Sequence, residues 1–136
     1  MPEPPARRTA KAKIVVRKSE SEPFDETISP VLMRIRIDET FTGDIDAEST
    51  VQALQLLRDD KSASMVSMQR VVGTLDGRNG SFVLQGSEIV ERGKISATWF
   101  VVPGSGTGEL AGLRGEGGFK GAFGEGSEGT LEYWFE

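Results

Sequence analysis

The stretch Pro103-Gly104-Ser105-Gly106-Thr107-Gly108-Glu109-Leu110-Ala111-Gly112-Leu113-Arg114-Gly115-Glu116-Gly117-Gly118 decides the fold. Seven of its sixteen residues are glycine, with Leu110 and Leu113 set between them. Two readings compete: a phosphate-binding loop, or the bent, glycine-rich strands of a small β-barrel. A dinucleotide site needs a strand, a loop and then a helix whose N-terminus meets the pyrophosphate. Gly106–Ala111 has the Ala-ended form of that spacing, and Gly124–Gly129 has the full G-x-G-x-x-G form. Four more glycines follow Ala111 within seven residues, and a β-type sequence follows Gly129, so no helix starts at either place. Glu109, Glu116, Glu125 and Glu128 would also repel phosphate. In strands, repeated glycine marks bulges, coiling or close backbone approach, as a tight barrel requires.

The flanking sequence agrees with a barrel. Val31–Thr42 alternates strictly, with Val31, Met33, Ile35, Ile37 and Phe41 on one face and Arg34, Arg36 and Asp38 on the other. Such a period of two marks a strand with one buried face. Strands are expected at Ala10–Lys18, Ala63–Leu75, Ser81–Val90, Lys94–Val102 and Thr130–Glu136, with one or two more from the glycine-rich region. The polar run from Ser19 to Pro30 reads as a loop. Asp76–Gly80 reads as a hairpin loop with positive φ at Gly77, Asn79 and Gly80, and Arg92-Gly93 as a second turn. Ser49–Arg58 is ambiguous: Val51, Leu54 and Leu57 suit helical spacing, whereas the turns on either side favour a strand. About eight strands with short connections make an all-β, small antiparallel barrel of 10–136, preceded by a Pro-rich tail of 1–9 expected to be disordered.

Composition narrows the chemistry. The 136 residues include neither cysteine nor histidine. Disulfides, thiol nucleophiles and the usual zinc ligands and general base are therefore absent. No metal site or cofactor is expected; Asp44, Asp46 and Glu48 lack the spacing of a calcium loop and read as a solvated acidic turn. A net charge of −5 without a dense basic cluster argues against nucleic acid as a partner. No apolar run is long enough for a membrane span, and the N-terminus lacks the apolar core of a signal peptide, so the expected compartment is the cytoplasm. Asn79-Gly80-Ser81 matches the glycosylation pattern and reads instead as part of a turn.

Glu39 continues the apolar face of Ile35, Ile37 and Phe41, so alternation points it inward. A desolvated carboxyl there has a raised pKa and can serve as general acid or base. Gln69 shares that inward direction and offers hydrogen bonds without charge. Trp99 lies on one face with Ala97 and Val101, and Tyr133 on one with Phe135; inward aromatics are core or, in a hollow barrel, ligand-binding walls. Apolar residues on the opposite faces, among them Val66, Met68 and Val72, are either isolated exposed hydrophobes or a homo-oligomer contact.

The runs TWFVVPGSGTGELAGLRGEGGF, FTGDIDAEST and GTLDGRNGSFVLQ are similar to a bacterial family of unknown function over Ala10 to Glu136. Its members resemble allene oxide cyclase, a small antiparallel eight-stranded barrel. The resemblance implies a homo-oligomeric barrel whose lumen hosts a small apolar molecule. Members often carry His at the positions of Gly86 and of the glycines after Phe119, Glu at that of Gln69, and Tyr at those of Ala53 and Leu57. If the family uses those residues for acid–base chemistry, the resemblance implies that this chain has lost it; if they only shape the lumen, this lumen is roomier and drier; either way no catalytic residue is transferred. The expectation is a cofactor-independent cyclase or isomerase. Glu39 and Tyr133 would assist proton movement, while Ile35, Ile37, Phe41, Ala53, Leu57, Gln69, Ala97, Trp99, Val101 and Phe135 line the ligand. A non-catalytic carrier or sensor, and a structural barrel with no ligand, are the alternatives.

Overall fold

The structure, a computed structural model, describes residues 6–122 and 126–136. Nine strands run in chain order: β1 (Arg8–Asp25), β2 (Val31–Gly43), β3 (Ile45–Leu57), β4 (Ala63–Leu75), β5 (Arg78–Glu91), β6 (Lys94–Val101), the two-residue β7 (Thr107–Gly108), β8 (Leu113–Ala122) and β9 (Ser127–Phe135). There is no helix among the described residues. Every pairing is antiparallel, and the order β4-β3-β2-β1-β9-β8-β6-β5 is closed by β4 pairing with β5. The result is a closed eight-stranded antiparallel barrel, with β7 adding a short pairing to the start of β5.

The ambiguous segment is strand: β3 alternates from Ile45, and Val51 and Ala53 are buried while Gln52 and Leu54 face out. Ladder pairing on both sides, to β2 and β4, overrides the helical spacing of its leucines. The hairpin between β4 and β5 turns at Asp76-Gly77 alone, with φ of 47° and 83°. Two successive residues of positive φ make a two-residue turn whose twist matches its strands. Asn79 and Gly80 are therefore already in β5 without positive φ, which corrects the longer loop read from the sequence. The Asn79-Gly80-Ser81 match lies in that strand too, not in a turn.

β1 also differs from expectation. It begins at Arg8, inside the stretch read as a tail, and it continues to Asp25 through the run read as a loop. Beyond Ile14 it pairs only with β2, because its ladder to β9 ends at the Ile14–Ser127 pair. A strand with one free edge tolerates Pro23 and exposure on both faces from Val15 to Asp25, which is why hydrophobic patterning does not reveal it. The expectation for residues 1–5 lies outside the described residues, as do Gly124 and Glu125.

The glycine-rich stretch does two jobs. Its first part folds across one end of the barrel, where Leu110 and Leu113 are each 1% exposed and join a core of Phe41, Ile45, Leu75, Phe82 and Leu131. Its second part becomes β8. A Cβ on Gly117 would lie 2.0 Å from the carbonyl oxygen of Thr130 on β9, and one on Gly118 2.0 Å from that of Ala97 on β6. Successive residues of β8 thus approach both neighbouring strands too closely for any side chain. This tightness is what seven glycines in sixteen residues supply.

Packing divides the lumen. The end closed by Leu110 is filled by the large cluster, and a smaller cluster of Ile35, Val51, Ala53 and Met65 lines the other half on β2, β3 and β4. Trp99 lies between them: its ring stacks with Phe41 of β2 at 6.2 Å and meets Phe119 of β8 at 5.3 Å. Gly129 of β9 lies beneath its six-membered ring, where a Cβ would come within 3.2 Å. A single side chain from β6 therefore reaches across to β2 and β9 and parts the closed end from the other half, open only in that Met33, Ile37, Glu39 and Ala97 there are half-buried rather than buried.

Candidate functional site in the open half of the lumen

The polar interior groups gather above Trp99. Glu39 follows Ile35 and Ile37 along the inward face of β2, as the sequence predicts. Gln69 of β4 donates from Nε2 to Glu39 Oε1 at 2.7 Å and to Ser49 Oγ of β3 at 2.6 Å. Gln69 and Ser49 are each 5% exposed. Glu39 itself is half-buried, and burial pushes its carboxyl up to about 7 despite the favourable bond from Gln69. The carboxyl of Glu88 adds a smaller upward push, which places the two acids in electrostatic reach of each other.

Sequence patterning misses Glu88, yet its side chain is the less exposed of the two, at 6%. Ser67 Oγ donates to its Oε1 at 2.5 Å, and its Oε2 has no hydrogen-bond partner among the described residues. Burial raises the pKa of this carboxyl as well, opposed by the Ser67 bond. Alternation along β5 carries the signal: Phe82, Leu84 and Val90 are buried, and Glu88 has the same parity. Gly86 intervenes and makes room. A Cβ there would lie 2.9 Å from both Glu88 Oε1 and Ser67 Oγ, so only glycine leaves that hydrogen bond undisturbed.

The other expected site residues divide between the two halves. Ile35, Ile37 and Ala53 line the open half, with Leu57 half-buried at its rim between Val31 and Ala63. Ala97 is half-buried beside Glu88, its cross-strand partner. Phe41, Val101, Tyr133 and Phe135 belong to the packed closed half. Tyr133 donates its hydroxyl to Asp76 in the β4–β5 turn, and burial and that carboxylate both raise its pKa. Glu39 and Tyr133 are not brought together. They pair with Val16 and Arg8 of β1, and eight residues of strand amount to more than about 20 Å.

Charge in this interior has one sign. Every lysine and arginine among the described residues is exposed apart from half-buried Arg114, which pairs with Glu136 at 2.7 Å near the closed end. No group of three or more carboxylates suited to a metal ion occurs among the described residues. No helix of the described residues is long and apolar enough to cross a membrane.

The outer wall has a different character. A groove of about 970 Å³ is lined by the exposed side chains of Leu54, Val66, Met68 and Phe100, with Arg34 and Glu116 among its polar members.

The family model described as "Protein of unknown function (DUF3224)" matches residues 10–136. The chain belongs to the DUF3224 family. A crystal structure of a DUF3224 protein of unknown function from Shewanella oneidensis MR-1 is similar at 31% identity, with a TM-score of 0.76. The match covers 96% of this chain and 98% of that one. No curated protein matches the chain. The family and the eight-stranded barrel agree with the resemblance carried by the glycine-rich run and the two runs upstream of it.

Proposed function

We propose that this DUF3224 protein binds a small, largely apolar molecule in the open half of its lumen, where Glu39 exchanges a proton with it in a cofactor-independent isomerisation or cyclisation. The observation that carries this reading is an interior carboxyl pair, Glu39 and Glu88, above an aromatic floor. A group with a pKa of about 7 holds and releases a proton with equal ease near neutrality, which is the optimum for general acid–base work. Gln69 and Ser67 fix the two carboxyls from the side, so neither must reorganise when a substrate arrives. The walls supply shape: Ile35, Ile37, Trp99 and Phe119 hold a flexible guest in one conformer, and orientation alone lowers a barrier by several kcal/mol. Tyr133 takes no part, being at the far end.

Titration of Trp99 fluorescence with a neutral apolar probe, in a Trp134→Phe background, tests the binding. Saturable change supports an occupied lumen, and loss of that change in Ala97→Leu places the probe beside Glu88. Absence of any saturable change would favour a structural barrel with no ligand. Turnover abolished by Glu39→Gln separates an enzyme from a carrier or sensor.

The exposed Leu54, Val66, Met68 and Phe100 support a second reading of the outer wall, as a contact between copies of this chain. Light scattering that gives a mass near 14.7 kDa at micromolar concentration would exclude it.

A further inference from the structure

The open half of the lumen is acidic without compensation. Glu88 is 6% exposed, accepts one hydrogen bond on Oε1 and, among the described residues, leaves Oε2 unpartnered. An unsatisfied buried carboxyl oxygen is costly, and native proteins keep few of them without a use. Its surroundings offer no remedy. Ser67 is committed to Oε1, and both Nε2 protons of Gln69 are committed to Glu39 and Ser49. A second carboxyl, Glu39, stands within electrostatic reach, and the described basic side chains, exposed or at the closed end, supply no cation.

We propose that the ligand is a small cationic amphiphile, an amine on an apolar body, whose ammonium group draws the closed-in Glu88 carboxyl toward itself and donates to Oε2. The inference rests on the lumen-binding reading above and adds the chemical class of the guest. An ammonium brings the two things the site lacks, a donor for Oε2 and a positive charge between two carboxyls. Half-buried Phe119 suits the same guest, since an aromatic ring attracts a cation as well as an apolar body. A neutral carbonyl compound would use only one protonated acid and would leave the second carboxyl unexplained. The raised pKa of each carboxyl follows from burial without a cation. Binding an ammonium therefore favours ionisation of both, and protons leave to the buffer as the guest enters.

Three ligands of one shape test the proposal by calorimetry: 2-phenylethylammonium, 2-phenylethanol and 3-phenylpropionate. The expected result is that the amine binds at least about tenfold more tightly than the alcohol, and that the carboxylate does not bind. At pH 6.5 the apparent enthalpy of amine binding should differ between phosphate and Tris, which reports proton release. Glu88→Gln should bring the amine to the affinity of the alcohol. If the alcohol binds as tightly as the amine, or if Glu88→Gln leaves amine affinity unchanged, the amine proposal is overturned and the lumen reading stands. If none of the three ligands binds the unmodified protein, both fall. The comparison of ligands on the unmodified protein decides the matter even should the variant not fold.

Discussion

Gln69 of β4 reaches over β3 to donate a 2.7 Å hydrogen bond to Glu39 of β2, and this bond sets the acid's environment. It stabilises the ionised carboxylate, yet burial prevails and the pKa stands at about 7. Between the ordinary carboxylate range and that value, the folded protein keeps a proton that the unfolded chain releases. Stability from this group is therefore full below about pH 4.5 and lost as pH rises toward 7. The loss amounts to up to about 3 kcal/mol at 1.36 kcal/mol per unit. Glu39→Gln should remove this dependence. In urea denaturation the variant should gain about 1–3 kcal/mol on the parent between pH 4.5 and pH 8. A constant difference across that range would contradict the assignment.

Ala53 and Ala97 should respond differently to leucine. Ala53 is 4% exposed and packed with Ile35, Val51 and Met65, so Ala53→Leu overfills a core and should cost about 1–3 kcal/mol. Ala97 is half-buried at the mouth, beside Glu88. Ala97→Leu should change the thermal midpoint little and abolish binding of an apolar probe. Equal destabilisation by both would mean that the mouth is as tightly packed as the wall.

The close approach of β8 to its neighbours gives a sharp contrast between glycines. Gly118→Ala puts a Cβ 2.0 Å from a backbone oxygen of β6, which cannot move without opening the ladder. Gly115→Ala meets Glu132 oxygen and Leu131 Cδ1 at 3.0 Å, and a leucine side chain can yield. Gly118→Ala should fail to give a folded barrel or lose several times more stability than Gly115→Ala, as read by thermal unfolding.

Leu110 plugs the closed end at 1% exposed, although it lies in a loop. Leu110→Ala should cost about 2–5 kcal/mol, the usual range for a buried leucine. A cost below about 1 kcal/mol would show that the loop covers the barrel without sealing it.

How much of this was legible in sequence depended on how local the signal was. Alternation from Val31 to Thr42 placed β2 and turned Glu39 inward with no knowledge of its neighbours, and the structure bears out that direction. The same rule applies to Glu88, but Gly86 and Ser87 interrupt the apolar run of β5 and mask its parity. The polar far end of β1 carries no burial pattern, since that edge pairs on one side only. The division of the lumen was out of reach. It depends on the stagger of strands distant in sequence, which brings Trp99 across to Phe41 and leaves Tyr133 at the opposite end from Glu39.

A carbon-13 NMR titration of the glutamate side-chain carboxyls, with Glu39 and Glu88 assigned by their Gln variants, tests the interior acid pair most directly. The account predicts a midpoint for Glu39 near 7, falling when Glu88 is replaced by Gln because the neighbouring carboxyl no longer opposes its ionisation. A midpoint in the ordinary carboxylate range, about 4.3, and indifferent to Glu88→Gln, would contradict it.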